Sequence, residues 1–234
     1  MTDQTRSAFV SGFFGSLPFV TVIIPFAMLF GVVATEAGLD LLQTMSMSFF
    51  VIAGASQFVA VQLLADQAPT LIILASALAV NMRMAMYSAA LVPHLGAAPL
   101  WQRAFAAYLL VDQSYGIAIK RYEEDPPLGR PQKMAYFFGT IVLICPLWYL
   151  FTWIGAEVGT AIPPEYALDF AVPITFIALI APQLKSLAHL AAALVSVVTA
   201  LALAWMPYST GVLVAAVAAM ATGAAVEIWM ERRR

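Results

Sequence analysis

The chain has 234 residues, of which 62% are apolar and only 10% are Asp, Glu, Lys or Arg, with a formal net charge of −2. A soluble domain carries roughly 25% charged residues. So few charges cannot cover a water-facing surface, and lipid must be the solvent for most of it. No basic patch of the kind nucleic acid requires is present, and the single Cys145 excludes an internal disulfide and a multi-cysteine metal site.

The spacing of the charges is more telling than their number. None lies between Arg6 and Glu36, between Asp40 and Asp66, or from Ser186 to Val226. A span needs about 20 apolar residues to cross about 30 Å of hydrocarbon. The chain divides into eight apolar segments, roughly 11–34, 41–65, 69–92, 100–119, 134–156, 167–183, 186–205 and 208–229. The first follows one Arg and contains no Ala-x-Ala cleavage site, so it reads as a retained span rather than a signal peptide. The expected fold is an all-α polytopic membrane protein, a single transmembrane domain over 1–234 with eight crossings, or seven if one segment is re-entrant.

Orientation follows from Lys and Arg, which favour cytoplasmic loops. Lys120, Arg121, Arg130 and Lys133 mark the central loop 120–133 as cytoplasmic, and Arg232, Arg233 and Arg234 place the C-terminus there. Glu36, Asp40, Glu157 and Glu165 stand in loops without Lys or Arg, which belong outside. Eight crossings with both termini in the cytoplasm satisfy this, except that Arg103 then falls on the outer side. Pro25 precedes Glu36 by the same interval as Pro146 precedes Glu157, and Gly54-Ala55-Ser56-Gln57-Phe58 sits where the second half has Ile180-Ala181-Pro182-Gln183-Leu184. These matches suggest two related halves of like orientation, 1–120 and 134–234.

Charges inside apolar segments are expensive, about 2.5–3.5 kcal/mol each at a helix centre on insertion scales. Arg83 lies mid-way along segment three and Asp112 mid-way along segment four. If these segments form an antiparallel hairpin, the two lie at comparable depth and should pair or share a polar cavity. Asn81 and Tyr87 flank Arg83, and Tyr108, Asp112 and Tyr115 would form a stripe on a continuous helix. Interhelical hydrogen bonding alone would also account for such residues. Gly54, Ser56 and Gln57 interrupt segment two with small and polar residues, and Pro182 with Gln183 does the same in segment six. Helices broken at this depth must face protein or a water-filled cavity, and their free N–H groups suit a carboxylate. His94 and His189 lack a second histidine at ligand spacing and read as interfacial.

Gly54-Ala55-Ser56-Gln57-Phe58, then Asn81-Met82-Arg83-Met84-Ala85-Met86-Tyr87-Ser88 with Pro93, then Asp112-Gln113-Ser114 resemble the AzlC family of branched-chain amino acid transport proteins. The resemblance covers nearly the whole chain. It implies a bacterial cytoplasmic-membrane exporter of valine, leucine, isoleucine and in some members methionine, working with a small AzlD-type membrane subunit. It implies that Ser56, Gln57, Asn81, Arg83 and Asp112 line the pathway. The family often has a second acid after the aspartate. Here that residue is Gln113, so proton coupling resting on that acid does not carry over. No nucleotide-binding motif, metal-protease motif or Gly-x-Ser-x-Gly is present, which argues for a proton or ion gradient as driving force, without a cofactor, and against an enzyme. The alternative to a transporter is a passive channel or a structural subunit of a membrane complex.

Overall fold

A computed structural model describes residues 3–124, 128–161, 184, 186–207 and 210–233, and every described element is helical. The protein is an all-α membrane protein. Among the described residues, four stretches are long and apolar enough to span: Asp3–Glu36, Thr70–Leu95, Arg130–Thr160 and Gly211–Glu231. The chain divides into two compact units, Met1–Phe58 with Val80–Pro164 and Val59–Ala79 with Glu165–Arg234.

In the first unit, α1 (Asp3–Ser16) runs through one 3₁₀ turn, Leu17–Phe19, into α2 (Val20–Glu36). Pro18 sits in that turn, where the missing N–H tightens the helix without ending it. This first rod packs along α8 (Arg130–Ala161). The Gln132 amide donates to Gln4 Oε1 at 3.0 Å, Gly12 abuts Tyr136 and Thr140, and Gly31 abuts Thr152 and Ala156. Contacts advance together along both rods, so the two run parallel. The duplicated halves expected at 1–120 and 134–234 rest partly on Pro182 and Gln183, which, with the whole of segment six, lie outside the described residues.

Segment two is two half-helices, α3 (Leu41–Phe50) and α4 (Gly54–Ala65). A capping box starts α3: Gln43 N donates to Asp40 Oδ1 at 2.7 Å and Asp40 N to Gln43 Oε1 at 2.9 Å. The interruption falls at Val51-Ile52-Ala53, just before the small residues expected to cause it, and Gly54 opens the second half. Gln57 Nε2 donates to Ser48 Oγ at 3.1 Å. Nine residues apart on one straight helix, those side chains would be about 13 Å apart along the axis. The chain therefore folds back at the break.

Segment four behaves likewise, and here the expectation of a continuous crossing is corrected. It consists of α6 (Leu100–Tyr108) and α7 (Asp112–Glu123), with Leu109-Leu110-Val111 between them. Within α5 (Thr70–Leu95), Arg83 meets Asp112, Tyr87 stacks on Tyr115 with centroids 4.1 Å apart, and His94 lies 5.1 Å from Tyr122. Those numbers rise together, so α7 runs parallel to α5 and not antiparallel as a simple hairpin would require. His94, Trp101, Gln102, Arg130 and Thr5 line one groove of about 640 Å³, which brings the start of α6 to the same end of the unit as the N-terminus. The pair α6–α7 thus enters from that end and returns to it. The stripe of Tyr108, Asp112 and Tyr115 does not exist, because the helix stops between the first two.

Re-entry also resolves the misplaced arginine. Arg6, Arg103, Lys120, Arg121, Arg130 and Lys133 gather at one end of the unit, while Glu36, Asp40 and Glu157 mark the other. Cysteines introduced as Arg103→Cys and Glu36→Cys, in a Cys145→Ala background, should react with an impermeant maleimide from opposite faces of the membrane. Lys120→Cys should label with Arg103→Cys. Labelling of positions 36 and 103 from one face would restore the continuous crossing.

The second unit contains α9 (Leu187–Ala202) and α10 (Gly211–Glu231), packed on each other. Ser186 caps α9 by accepting from His189 N at 3.2 Å. Gly211 sits against the Leu203 carbonyl and Gly223 against Ala192, small residues again permitting close approach in lipid.

Candidate functional site

The two broken segments repeat one another at an interval of 58 residues. Phe50-Val51-Ile52-Ala53-Gly54-Ala55-Ser56-Gln57 aligns with Tyr108-Leu109-Leu110-Val111-Asp112-Gln113-Ser114-Tyr115. The second halves have the same length, 12 residues each. Ser56 Oγ donates to the Ala53 carbonyl at 2.9 Å, and Ser114 Oγ donates to the Val111 carbonyl at 2.9 Å. Each serine thus ties down the residue that ends its break, using the short side-chain-to-backbone bond that favours helix starts. Ser114 Oγ also accepts from Val111 N at 3.0 Å.

The hairpins enter from opposite ends of the unit. α1–α2 leads away from the N-terminal end and α3 turns back from there, whereas α5 arrives at the N-terminal end and α6 turns back from it. A helix followed by a re-entrant pair therefore occurs twice in opposite senses. The tips meet: the Tyr108 hydroxyl, at the end of α6, donates to the Phe49 carbonyl at the end of α3. That carbonyl belongs to the last turn of a helix, where no intrahelical N–H is available.

At this meeting depth lie the intramembrane charges. Arg83 is eleven residues before His94, about 16 Å deeper along α5, and Asp112 is ten before Tyr122, about 15 Å deeper along α7. Arg83 Nη2 is 3.1 Å from Asp112 Oδ2, with the side chains 32% and 41% exposed. Asp112 is also the first residue of α7. Its carboxylate sits at the positive end of a half-helix, where free N–H groups and the peptide dipoles favour an anion. Tyr87, stacked on Tyr115, lies close to both charges.

The pair is only half used. Arg83 Nε and Asp112 Oδ1 are buried with no hydrogen-bond partner, and so are Asn81 Oδ1 and Gln57 Oε1. Buried polar atoms are nearly always bonded to protein or water, so these donors and acceptors have hydrogen-bonding capacity to spare. Gly54, at the start of α4, faces Phe26 and Trp148. Phe58 adds its ring 5.1 Å from Phe26 and 5.5 Å from Phe30, completing an apolar wall beside the half-helix. The structure thus brings together Arg83, Asp112 and Tyr87. It places Gly54, Ser56 and Gln57 at one break and Tyr108 at the other, and leaves Pro182 and Gln183 outside its described residues. Sequence reasoning missed the second break and the role of Ser114: of the eight aligned pairs only Ser56 and Ser114 are identical, and the repeat becomes visible through the helix breaks and the matching serine hydrogen bonds. Among the described residues no group of three His, Cys, Asp or Glu could hold a metal ion.

The model of the AzlC protein family matches residues 18–162, which takes in both re-entrant pairs and α8. The chain belongs to the AzlC family. It is 28% identical over 181 residues to the inner membrane protein YgaZ of Escherichia coli, covering 73% of this chain and 71% of that one. An uncharacterized membrane protein of Archaeoglobus fulgidus is 27% identical over 224 residues, 93% of this chain and 95% of its own. One from Helicobacter pylori is 28% identical over 159 residues, 68% of each chain. No solved structure matches. The family and its membrane-protein members support a role in membrane transport for this chain.

Proposed function

We propose that this protein is a secondary transporter subunit that exports branched-chain and other small apolar amino acids across the bacterial cytoplasmic membrane. A small AzlD-type membrane subunit is its partner, and a proton or ion gradient drives it. The observation that carries the reading is the pair of oppositely inserted half-helix hairpins meeting at Arg83 and Asp112. Two barriers that enter from opposite faces can be opened one at a time, which is what alternating access requires. Paired half-helices also line passive pores, so gradient-driven flux is the property that separates a transporter from a channel.

The unpaired atoms suit a zwitterion. Asp112 Oδ1 can accept from an ammonium group, and Arg83 Nε or the N–H groups opening α4 can donate to a carboxylate. Phe26 and Phe58 offer apolar surface to an aliphatic side chain, which fits valine, leucine and isoleucine, with methionine as the most adaptable fourth. The clustering of Lys and Arg at the end that holds the N-terminus supports its placement in the cytoplasm, and Arg232 and Arg233 support the same for the C-terminus. The parallel course of α1–α2 and α8 supports two related halves of like orientation.

Co-reconstitution with the small subunit in proteoliposomes loaded with labelled valine tests the proposal. An imposed proton or ion gradient should accelerate valine efflux, with leucine and isoleucine competing. No gradient-dependent flux of any aliphatic amino acid would sink it.

A further inference from the structure

We propose that the first re-entrant hairpin holds a monovalent cation of sodium size, between α3, the start of α4 and α8. Thr44, Ser48, Gln57 and Thr152 are each no more than 1% exposed. Thr44 and Ser48 are one turn apart on the same face of α3, and Gln57 reaches across to Ser48. Thr152 lies one turn beyond Tyr149 on α8, and the Tyr149 ring is 5.7 Å from Phe49 of α3. Thr44, Ser48 and Gln57 thus meet where α3 faces the start of α4, and Thr152 stands on α8, which packs against α3. Three of their oxygens, Thr44 Oγ1, Gln57 Oε1 and Thr152 Oγ1, have no hydrogen-bond partner.

The ligand follows from the donor set. The unpaired atoms of these four side chains are all oxygens, while Trp148 Nε1, buried and unpaired one turn before Thr152, is a donor that a cation leaves unused. The C-terminal end of α3 adds carbonyls and the negative end of a half-helix, which favour a cation. Neither α3 nor α4 carries Lys or Arg to supply that charge. Hydroxyl and amide oxygens do not bind protons near neutral pH, so the site does not take a proton. Divalent cations bind mostly through carboxylates, and none is among these residues: Asp40, at the far end of α3, is occupied as its cap. A small alkali cation remains, and unwound carbonyls with half-helix C-terminal ends suit one. On the transporter reading it is the coupling ion, at the hairpin opposite the one that carries Asp112; cation binding itself does not rest on that reading.

Melting of the purified protein in NaCl, KCl and choline chloride at equal ionic strength tests the site, with direct binding of radioactive sodium as a second measurement. Sodium should raise the melting temperature saturably, and potassium should do so much less. Thr44→Val should weaken apparent sodium affinity by roughly tenfold or more. Its melting in choline should be unchanged or higher, because it replaces an unpaired buried hydroxyl by a methyl of similar shape. Gln57→Leu should also lose the response. Equal melting in all three salts, or a sodium response retained in both variants, would overturn the proposal. Valine flux driven by a proton gradient without a sodium response would overturn the cation site and leave the transporter standing. A sodium response in a protein that moves no amino acid would do the reverse.

Discussion

Gly155→Leu should abolish recovery of folded protein from the membrane, and Gly31→Leu should do the same. In lipid no hydrophobic force draws helices together; they associate where small residues let backbones meet. A Cβ at Gly155 would lie 2.1 Å from the Met28 carbonyl oxygen and 2.7 Å from its Cα. At Gly31 it would lie 2.2 Å from the Thr152 oxygen and 2.5 Å from Ala156 N. These obstacles are backbone, which cannot turn aside as a flexible side chain could. Gly12 and Gly139 repeat the arrangement at the other end, at 2.2 Å from Tyr136 and 2.1 Å from Phe9. Even Gly155→Ala must push α2 away from α8, at a cost of about 1–3 kcal/mol by analogy with overpacked cores, and leucine must cost more. Gly116→Ala in α7 is the control: nothing lies within 4 Å of its added Cβ, so helix propensity should make it neutral or slightly stabilising. Fluorescence-detected size exclusion and thermal melting read all of these. A monodisperse Gly155→Leu protein with unchanged melting would mean that the two rods do not touch there.

The same crossing shows how far the sequence could be read. Class, lipid as solvent and the depth of Arg83 and Asp112 follow from counting charges and apolar lengths, because each violation is large on the scale of insertion energies. Where the chain turns back is a subtler matter. At Gly54-Ala55-Ser56-Gln57 small and polar residues announce an interruption, and one is there. At Leu109-Leu110-Val111 nothing does: all three are apolar, without glycine or proline, and they read as helix. What stops the helix is tertiary. Ser114 holds Val111 through both its N–H and its carbonyl, Tyr108 is drawn to the α3 tip, and Asp112 gains the positive end of a new helix. The depth of Asp112 could therefore be estimated correctly from a wrong topology. A half-helix from one face and a full helix from the other both put residue 112 near mid-membrane. In the sequence only Arg103, a cation on the wrong side, distinguished the two. The α2–α8 crossing was legible in part, through the paired Pro-to-Glu intervals, but the glycines at its centre are too common in membrane helices to be singled out.

Removing one charge of the central pair should be costly, and the two removals should be unequal. Breaking a buried ion pair costs about 3–5 kcal/mol because the surviving charge is left uncompensated; with Arg83 32% and Asp112 41% exposed, less than that is expected here. Arg83→Gln leaves Asp112 with the α7 N-terminus, whose N–H groups still favour a carboxylate by about 0.3–1 kcal/mol. Asp112→Asn leaves the Arg83 guanidinium facing that same positive helix end with no anion. Asp112→Asn should therefore melt lower than Arg83→Gln, a difference of about 1 kcal/mol in stability. The double variant Arg83→Gln/Asp112→Asn removes both charges and should melt close to the native protein, as neutral replacements of whole buried pairs often do. Transport separates architecture from mechanism. If the pair only fixes helix packing, the double variant should move valine at the native rate. If the unpaired Nε and Oδ1 hold the two ends of a zwitterion, flux should stay at least tenfold down although the fold is restored, because a hydrogen bond to a charged group is worth about 1.5–3 kcal/mol. Native flux in the double variant would leave Arg83 and Asp112 as a structural clasp and move the search for the binding groups to the start of α4.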